Sequence, residues 1–395
     1  MAQDVVIIGG GFVGLNEAAL FARKGYRVHI IDINEKVIES INSGEEDRLH
    51  IREKYIIDNW KYVKENISAT DDYSVIEDSN IILIAVNTPL KVYKEELIEG
   101  LQENKDIEYF IDFTPIKRAI NELKKFLQPD SYINSLVTMF PNGTNSFIIK
   151  PLKEAGYELG KDIFITHTPE RVDPGNKHNN PENTPRNLGY YDENSLRKGL
   201  EIYRNLVSSV TYEKMEVVEL SKLHENAFRL LNIAFVQKSL IKLGKEIFKV
   251  IDLAGNKPFG FLKFYPSPYA GGTCLVKDSI MYWYVTKNDL IKEALIINET
   301  MPKEYAKLLY DKIKHKRRIL FWGFGFKPNS PYYISKHLNP IERLIEELKK
   351  LDSSLDIRKY DPNIPDKSDF VDGEEAKRWA DIVLYWDYTK LLNDG

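Results

Sequence analysis

"VVIIGGGFVGLNEAALFARKGYRVHIID", Val5 to Asp32, decides the fold class. Val5–Ile8 is a continuous apolar run of strand length, as expected of a parallel strand buried on both faces. Gly9, Gly11 and Gly14 then fit G-x-G-x-x-G, and a helix with apolar spacing (Val13, Ala18, Leu20, Phe21) runs on to a stop at Gly25. "RVHIID" reads as a second strand with Asp32 at its end. In a dinucleotide site Gly9 permits the tight turn, Gly11 leaves room for a pyrophosphate, and Gly14 lets helix and strand pack closely. Phe12 and Val13 open the helix, whose N-terminal N–H groups and partial positive charge suit phosphate. Asp32 can accept hydrogen bonds from the ribose hydroxyls and would repel a 2′-phosphate, which selects NAD over NADP.

The same alternation continues outward. "NIILIAVNTP" predicts a buried strand that empties into a turn at Thr88 and Pro89. Another strand precedes "FPNGT" (Phe140–Thr144), and "DIFITHTPERVDPGN" is a strand followed by a loop carrying Glu170. All three turns fall at strand ends, where ligands of a parallel doubly wound sheet lie. From about Glu213 to Gly255 the pattern is helical, with more helix expected from about Asp278 to Lys314. A strand and a second glycine turn in "RRILFWGFGFKPNS" then open another α/β segment, continued by "NPIERLIEELKKL", "DIRKYDP" and "DIVLYW". The expected architecture is α/β, with two Rossmann-like doubly wound parallel-sheet domains (1–210 and 313–395) joined by a central helical domain (211–312).

Bulk properties narrow the function classes. A net charge of −4 lacks the basic excess that non-specific nucleic-acid binding requires. The basic run Lys314–Arg318 reads as a solvated lead-in to the next strand. One cysteine in 395 residues excludes a disulfide framework or a cysteine-based zinc site within the chain. The seven histidines show no metal-ligand spacing, so no metal is expected. No apolar run approaches the roughly 20 residues of a membrane span. The expectation is a cytoplasmic soluble protein.

That lone cysteine, Cys274, lies in "YAGGTCLVKDS". Taken alone, a single cysteine is most often a small buried hydrophobe. Asp278 follows it by one helical turn if a helix begins there, and could hold a lysine or act as a base through water. Lys222 and Asn226, four apart, share one face of the expected central helix. By themselves they fit a solvated edge; behind a dinucleotide site they could stabilise a developing alkoxide or oxyanion. Glu170, taken alone, reads as a surface carboxylate.

The chain resembles the nucleotide-sugar 6-dehydrogenases, the UDP-glucose/GDP-mannose dehydrogenase family. The resemblance is carried in order by "GGGFVGL", "AVNTPL", "TPERVDPG", "ELSKLHENAFRLLNIAF", "GGTCLVKD", "GFGFKPN", "YDP" and "ADIVLYW". "PERVDPGN" and "KPFGFLKFYPSP" look most like the branch acting on UDP-N-acetylglucosamine. The resemblance implies a four-electron oxidation of a UDP-sugar C6 hydroxyl to the uronic acid, with NAD as cofactor. It implies Cys274 as the nucleophile of a thiohemiacetal and then a thioester. Lys222 and Asn226 would stabilise the oxyanions, with Lys222 also favouring the thiolate. Asp278 with Lys222 and a water would serve as first base, and Glu170 would assist hydrolysis. Thr88 would line the nicotinamide side, and Arg171, Lys222, Asn226, Tyr265, Gly271 and Lys327 would contact the substrate. A homodimer through the central helices is the family expectation.

Several positions depart from the family pattern. Met139 stands for a threonine, Ser267 and Tyr269 for glycines, Thr273 for a histidine, and "SPYYISKHLNP" replaces an arginine-bearing loop. Lys336 or His337 could stand in for that arginine, without its bidentate contacts. The alternatives are UDP-glucose or UDP-N-acetylmannosamine as substrate, a two-electron dehydrogenase of the 3-hydroxyacid type, and a nucleotide-sugar-binding homologue without catalysis.

Overall fold

A computed structural model describes residues 3–392 except Asp173, Lys177 and Pro331, so one residue each of "TPERVDPGN" and "SPYYISKHLNP" lies outside the described residues. The chain divides into two compact units, one of Met1–Pro89 with Asp112–Leu223, the other of Leu90–Ile111 with His224–Gly395.

The first unit is built on an eight-stranded sheet. Its strands are β1 (Asp4–Ile8), β2 (Arg27–Ile31), β3 (Ile67–Thr70), β4 (Ile81–Ile84), β5 (Ser131–Ser135), β6 (Ile163–His167), β7 (Arg186–Tyr190) and β8 (Val210–Lys214). The order β3-β2-β1-β4-β5-β6-β7-β8 begins with the doubly wound dinucleotide arrangement, whose strand order reverses between β1 and β4. β4 and β5 are buried at every position; β4 is accordingly a continuous apolar run, whereas β5 buries Ser131 and Asn134 by hydrogen-bonding their side chains. Every pairing is parallel except β6 with β7, where Thr166 faces Tyr190 and His167 faces Gly189. The expected doubly wound sheet is therefore present, with one antiparallel junction that composition does not reveal.

Helix α1 (Phe12–Arg23) crosses from β1 to β2 and buries Leu15, Ala18, Ala19, Leu20 and Phe21 in the core of this unit. Its approach depends on two glycines. Gly9 has φ +108°, and a Cβ there would lie 2.7 Å from the Ala85 carbonyl oxygen. A Cβ at Gly14 would lie 1.8 Å from the Gly9 carbonyl oxygen.

The second unit holds a three-stranded parallel sheet, β9 (Arg318–Trp322), β10 (Asp356–Tyr360) and β11 (Ile382–Tyr385), in the order β10-β9-β11. Helix Pro340–Leu351 is capped by Asn339, which accepts from the Ile341 and Glu342 N–H groups, and buries Ile341, Leu344 and Leu348. Among the helices of this unit, Leu275–Thr286 and Asp289–Ile313 fill the region expected to be helical from about Asp278 to Lys314. Lys287, at φ +51°, breaks them, and Asn288 caps the second through the Leu290 N–H. The long helix Met215–Leu243 starts only after β8 ends at Lys214, and the unit boundary falls within it.

Gly14→Ala forces α1 away from β1. We expect a loss of roughly 1–3 kcal/mol, as for other overpacked cores, together with weaker NAD binding. Thermal unfolding and cofactor titration measure both, and an unchanged protein would contradict the close-packing argument.

Candidate active site

Within the first unit, the turn after β1 is open where a phosphate needs room. Gly11 is the N-cap residue of α1, without a side-chain cap, and nothing lies within 4 Å of a Cβ built on it. Phe12 and Val13 follow, both half-buried, and Thr88 is buried just beyond β4. Asp32 is tied to this turn: its Oδ2 accepts from Gly10 N at 2.7 Å and its Oδ1 from Asn34 N at 2.9 Å. Each oxygen keeps a second acceptor position, enough for ribose hydroxyls. His50 braces the turn from behind, its Nε2 2.8 Å from the Gly10 carbonyl oxygen and its Nδ1 2.6 Å from Ser40 Oγ. An open cradle, an uncapped helix start and an acid at the end of β2 together fit a dinucleotide.

The strand-end loops are anchored by carboxylates. In "FPNGT", Asn142 adopts φ +68°, and the Asn142 and Thr144 N–H groups each donate to Glu219 at 2.8 Å. Glu219 stands three residues before Lys222 on the long helix, and burial raises its pKa to about 7. Met139 is fully buried and packs over Gly143. His167, at the end of β6, is also buried, which lowers its pKa to about 3 and keeps it neutral.

Glu170 is not the surface carboxylate its local sequence suggests; it is only 7% exposed. Its Oε1 accepts from Arg171 N at 2.6 Å and Val172 N at 2.7 Å, and its Oε2 from Arg186 Nη1. The Arg171 side chain is partly exposed. Burial opposes the charge on Glu170, but the Arg186 guanidinium outweighs it and holds the carboxyl well below its ordinary range. The other arm of Arg186, Nη2, donates to Glu17 Oε1 at 2.5 Å.

In the second unit Cys274 is exposed and is the N-cap residue of helix Leu275–Thr286. Its carbonyl accepts from Asp278 N at 2.8 Å, so Asp278 does stand one turn on. The Asp278 carboxylate is fully buried and takes Asn226 Nδ2 on Oδ2 at 2.6 Å and Lys277 Nζ on Oδ1 at 2.8 Å. Lys222 is half-buried on the part of the long helix that belongs to the first unit. Gly271 lies against the start of helix Pro340–Leu351: a Cβ on it would sit 2.4 Å from the Leu338 carbonyl oxygen. Tyr265 is half-buried, stacks on Phe248 and donates to Asp252. Lys327 sits half-buried over the Phe326 ring, and His337 stacks on Tyr93 with centroids 4.9 Å apart.

Tyr269 enters a buried network. Its hydroxyl donates to Glu299 Oε1 at 2.8 Å, and the Arg343 guanidinium lies 4.3 Å from its ring centroid. Glu299 Oε2 also accepts from Arg343 Nη1 at 2.6 Å and from Lys94 N at 2.9 Å. Next door, Asn298 Oδ1 accepts from Ala270 N at 2.7 Å, and Gln237 Nε2 donates to the Ser267 carbonyl at 3.1 Å. The loop leading to Cys274 is thus held by polar side chains where the family pattern has glycines. Sequence reasoning missed Glu17, Arg186, Glu219, Lys277, Glu299 and Arg343. The available signal was charge inside apolar helix faces, as at Glu17 in "GLNEAALF".

Comparison with known proteins agrees with this layout. The profile of the UDP-glucose/GDP-mannose dehydrogenase family, NAD binding domain, matches residues 3–207, and that of the family's central domain matches 216–300. The chain is 28% identical to the UDP-N-acetyl-D-mannosamine dehydrogenase of Pyrococcus horikoshii, covering 96% of this chain and 88% of that one. It is 26% identical to the UDP-N-acetyl-D-glucosamine 6-dehydrogenase of Salmonella typhi, over 96% and 85% respectively. A solved structure of the Pyrococcus enzyme superposes with a TM-score of 0.81 at 26% identity, over 97% and 89%.

Two predictions follow from the buried polar groups. Because burial raises Glu219 from 4.5 to about 7, the native state holds a proton that the unfolded chain has released. Its contribution is therefore full below about 4.5 and is lost as pH rises through about 7. Glu219→Gln should remove that slope from stability measured against pH, and it should also cost about 1–3 kcal/mol, since an amide N–H₂ then faces a backbone N–H. Tyr269→Phe leaves Glu299 Oε1 without its hydroxyl donor and should lower stability by about 1–3 kcal/mol; unchanged denaturant midpoints would contradict this role.

Proposed function

Because the chain belongs to the UDP-glucose/GDP-mannose dehydrogenase family, we propose that it oxidises the C6 hydroxyl of a UDP-N-acetylhexosamine to the carboxylate through a covalent cysteine route. Membership makes it an NAD-dependent nucleotide-sugar dehydrogenase; the sugar and the covalent route are the proposal. Among sugars we place UDP-N-acetylmannosamine first, since relatives from Pyrococcus horikoshii, Methanocaldococcus jannaschii and Campylobacter jejuni carry that activity in their names. UDP-N-acetylglucosamine, favoured by "PERVDPGN" and named for the Salmonella relative, comes next, and UDP-glucose third.

The observation that carries the cysteine route is the exposed Cys274 at a helix start, with Asp278 one turn on and paired to Asn226. NAD, when bound, supplies the hydride acceptor for each two-electron step. Gly9, Gly11, Phe12, Val13, Gly14 and Asp32 hold it, and Thr88 lines the nicotinamide side. Asp278, acting with Lys222 and a water, takes the C6 hydroxyl proton. Cys274 Sγ then bonds to the aldehyde carbon, and the carbonyl oxygen becomes an oxyanion that Lys222 and Asn226 stabilise. Asn226 keeps a second N–H beyond the one given to Asp278. The positive end of helix Leu275–Thr286 favours negative charge beside Sγ. After the second oxidation the adduct is a thioester. Glu170 assists attack by water, the C–S bond breaks, and the thiol is restored with the carboxylate released.

Arg171, Tyr265, Gly271 and Lys327 are assigned to the UDP-sugar. We further propose the three-part division 1–210, 211–312 and 313–395, a homodimer through the central helices, and a cytoplasmic location.

Cys274→Ser should abolish carboxylate formation, because serine is harder to deprotonate and a poorer leaving group. NADH release against a panel of UDP- and GDP-hexoses should give two NADH per carboxylate. One NADH per product would replace this reading with a two-electron dehydrogenase.

A further inference from the structure

Arg186 bridges two carboxylates in the first unit, and the charges do not balance. Arg186 and Glu17 are wholly buried, and Glu170 nearly so. One guanidinium against two ionised carboxylates leaves a net negative charge without solvent, which is strongly unfavourable. One proton therefore stays in the cluster, and the hydrogen bonds say where. Glu170 accepts from two backbone N–H groups and from Arg186 Nη1, so it is the anion. Glu17 accepts only from Arg186 Nη2, and among the described residues no donor reaches its buried Oε2. Protonated, Glu17 carries an O–H that must be given to an acceptor, and the Glu170 carboxylate beside it is that acceptor.

We propose that Glu17 is held as the neutral carboxylic acid and acts, through Arg186, as a positioning residue for Glu170. This rests on the reading that Glu170 assists thioester hydrolysis. Glu17 sits in the second turn of α1, Arg186 opens β7, and Glu170 follows β6. One shared proton thus joins the cofactor helix to the loop beyond β6. The titratable groups facing Glu17 are Arg186, Glu170, Tyr203 and Tyr55. Both tyrosines are kept neutral by burial, so neither offsets a second carboxylate charge. Burial is also what raises Glu17, against the pull of Arg186, to about 8. The native cluster accordingly keeps its proton at neutral pH and loses it, with its contribution to stability, as pH rises through about 8. Above that pH Glu17 competes with Glu170 for the single guanidinium.

Two measurements on the full-length protein decide the matter. Infrared spectra of the wild type minus those of Glu17→Gln should show a buried, protonated carboxyl stretch at pH 7 that fades above about pH 8, the Glu219 band being common to both proteins and cancelling. No such band in the difference overturns the proposal. Carboxylate formation against pH should fall on the alkaline side in the wild type, whereas Glu17→Gln, which keeps the donor and acceptor pattern of the neutral acid, should stay near the wild-type rate at pH 7 without that fall. Identical alkaline limbs overturn the positioning role. Glu17→Leu should be slower at every pH; if it does not fold, the glutamine variant still decides. Wild-type turnover in Glu170→Gln would sink the assignment of Glu170, while the infrared band separately decides Glu17.

Discussion

A peptide oxygen occupies the space that a side chain on residue 14 would need. With Gly9 O only 1.8 Å from a Cβ built on Gly14, helix α1 can rest on β1 at this distance only if residue 14 has no side chain. That contact places the start of α1 where the strand order reverses between β1 and β4. It also brings Gly10 N within hydrogen-bond reach of Asp32, and the Gly10 carbonyl to His50. An open, uncapped helix start and the Asp32 carboxylate are thereby set side by side, an arrangement that suits a dinucleotide.

The loops that carry the proposed chemistry are held by a different force. Glu170, Glu219 and Glu299 are all buried; the first two each collect a pair of backbone N–H donors from a strand-end turn, and Glu299 takes the Lys94 N–H together with the Tyr269 hydroxyl. Two of them also take an arginine, Arg186 in the first unit and Arg343 in the second. A buried carboxylate that lost its donors would be left uncompensated, so these contacts resist rearrangement more than surface ion pairs do. Tyr269, in a position the family pattern gives to glycine, fits this scheme: its ring packs under Arg343 and its hydroxyl completes Glu299.

The readable parts of the sequence were those governed by neighbours along the chain. The glycine turn, α1, β2, Asp32 and the one-turn offset of Asp278 from Cys274 depend on strand or helix periodicity and on local caps. The same local signals placed the start of the long helix within two residues but did not show β8 before it, and they missed the break at Lys287, whose residue type does not announce a left-handed conformation.

By itself, then, the sequence determined the two α/β segments, the dinucleotide turn and the residues from which chemistry could be drawn, because short-range sterics and periodic burial dictate them. Tertiary structure alone decided that β7 runs against β6, that Glu170 is a buried partner of Arg186, and that Tyr269 replaces glycine by joining Glu299. These outcomes depend on which distant groups share a volume without water, and on the requirement that charge and hydrogen-bonding capacity balance there.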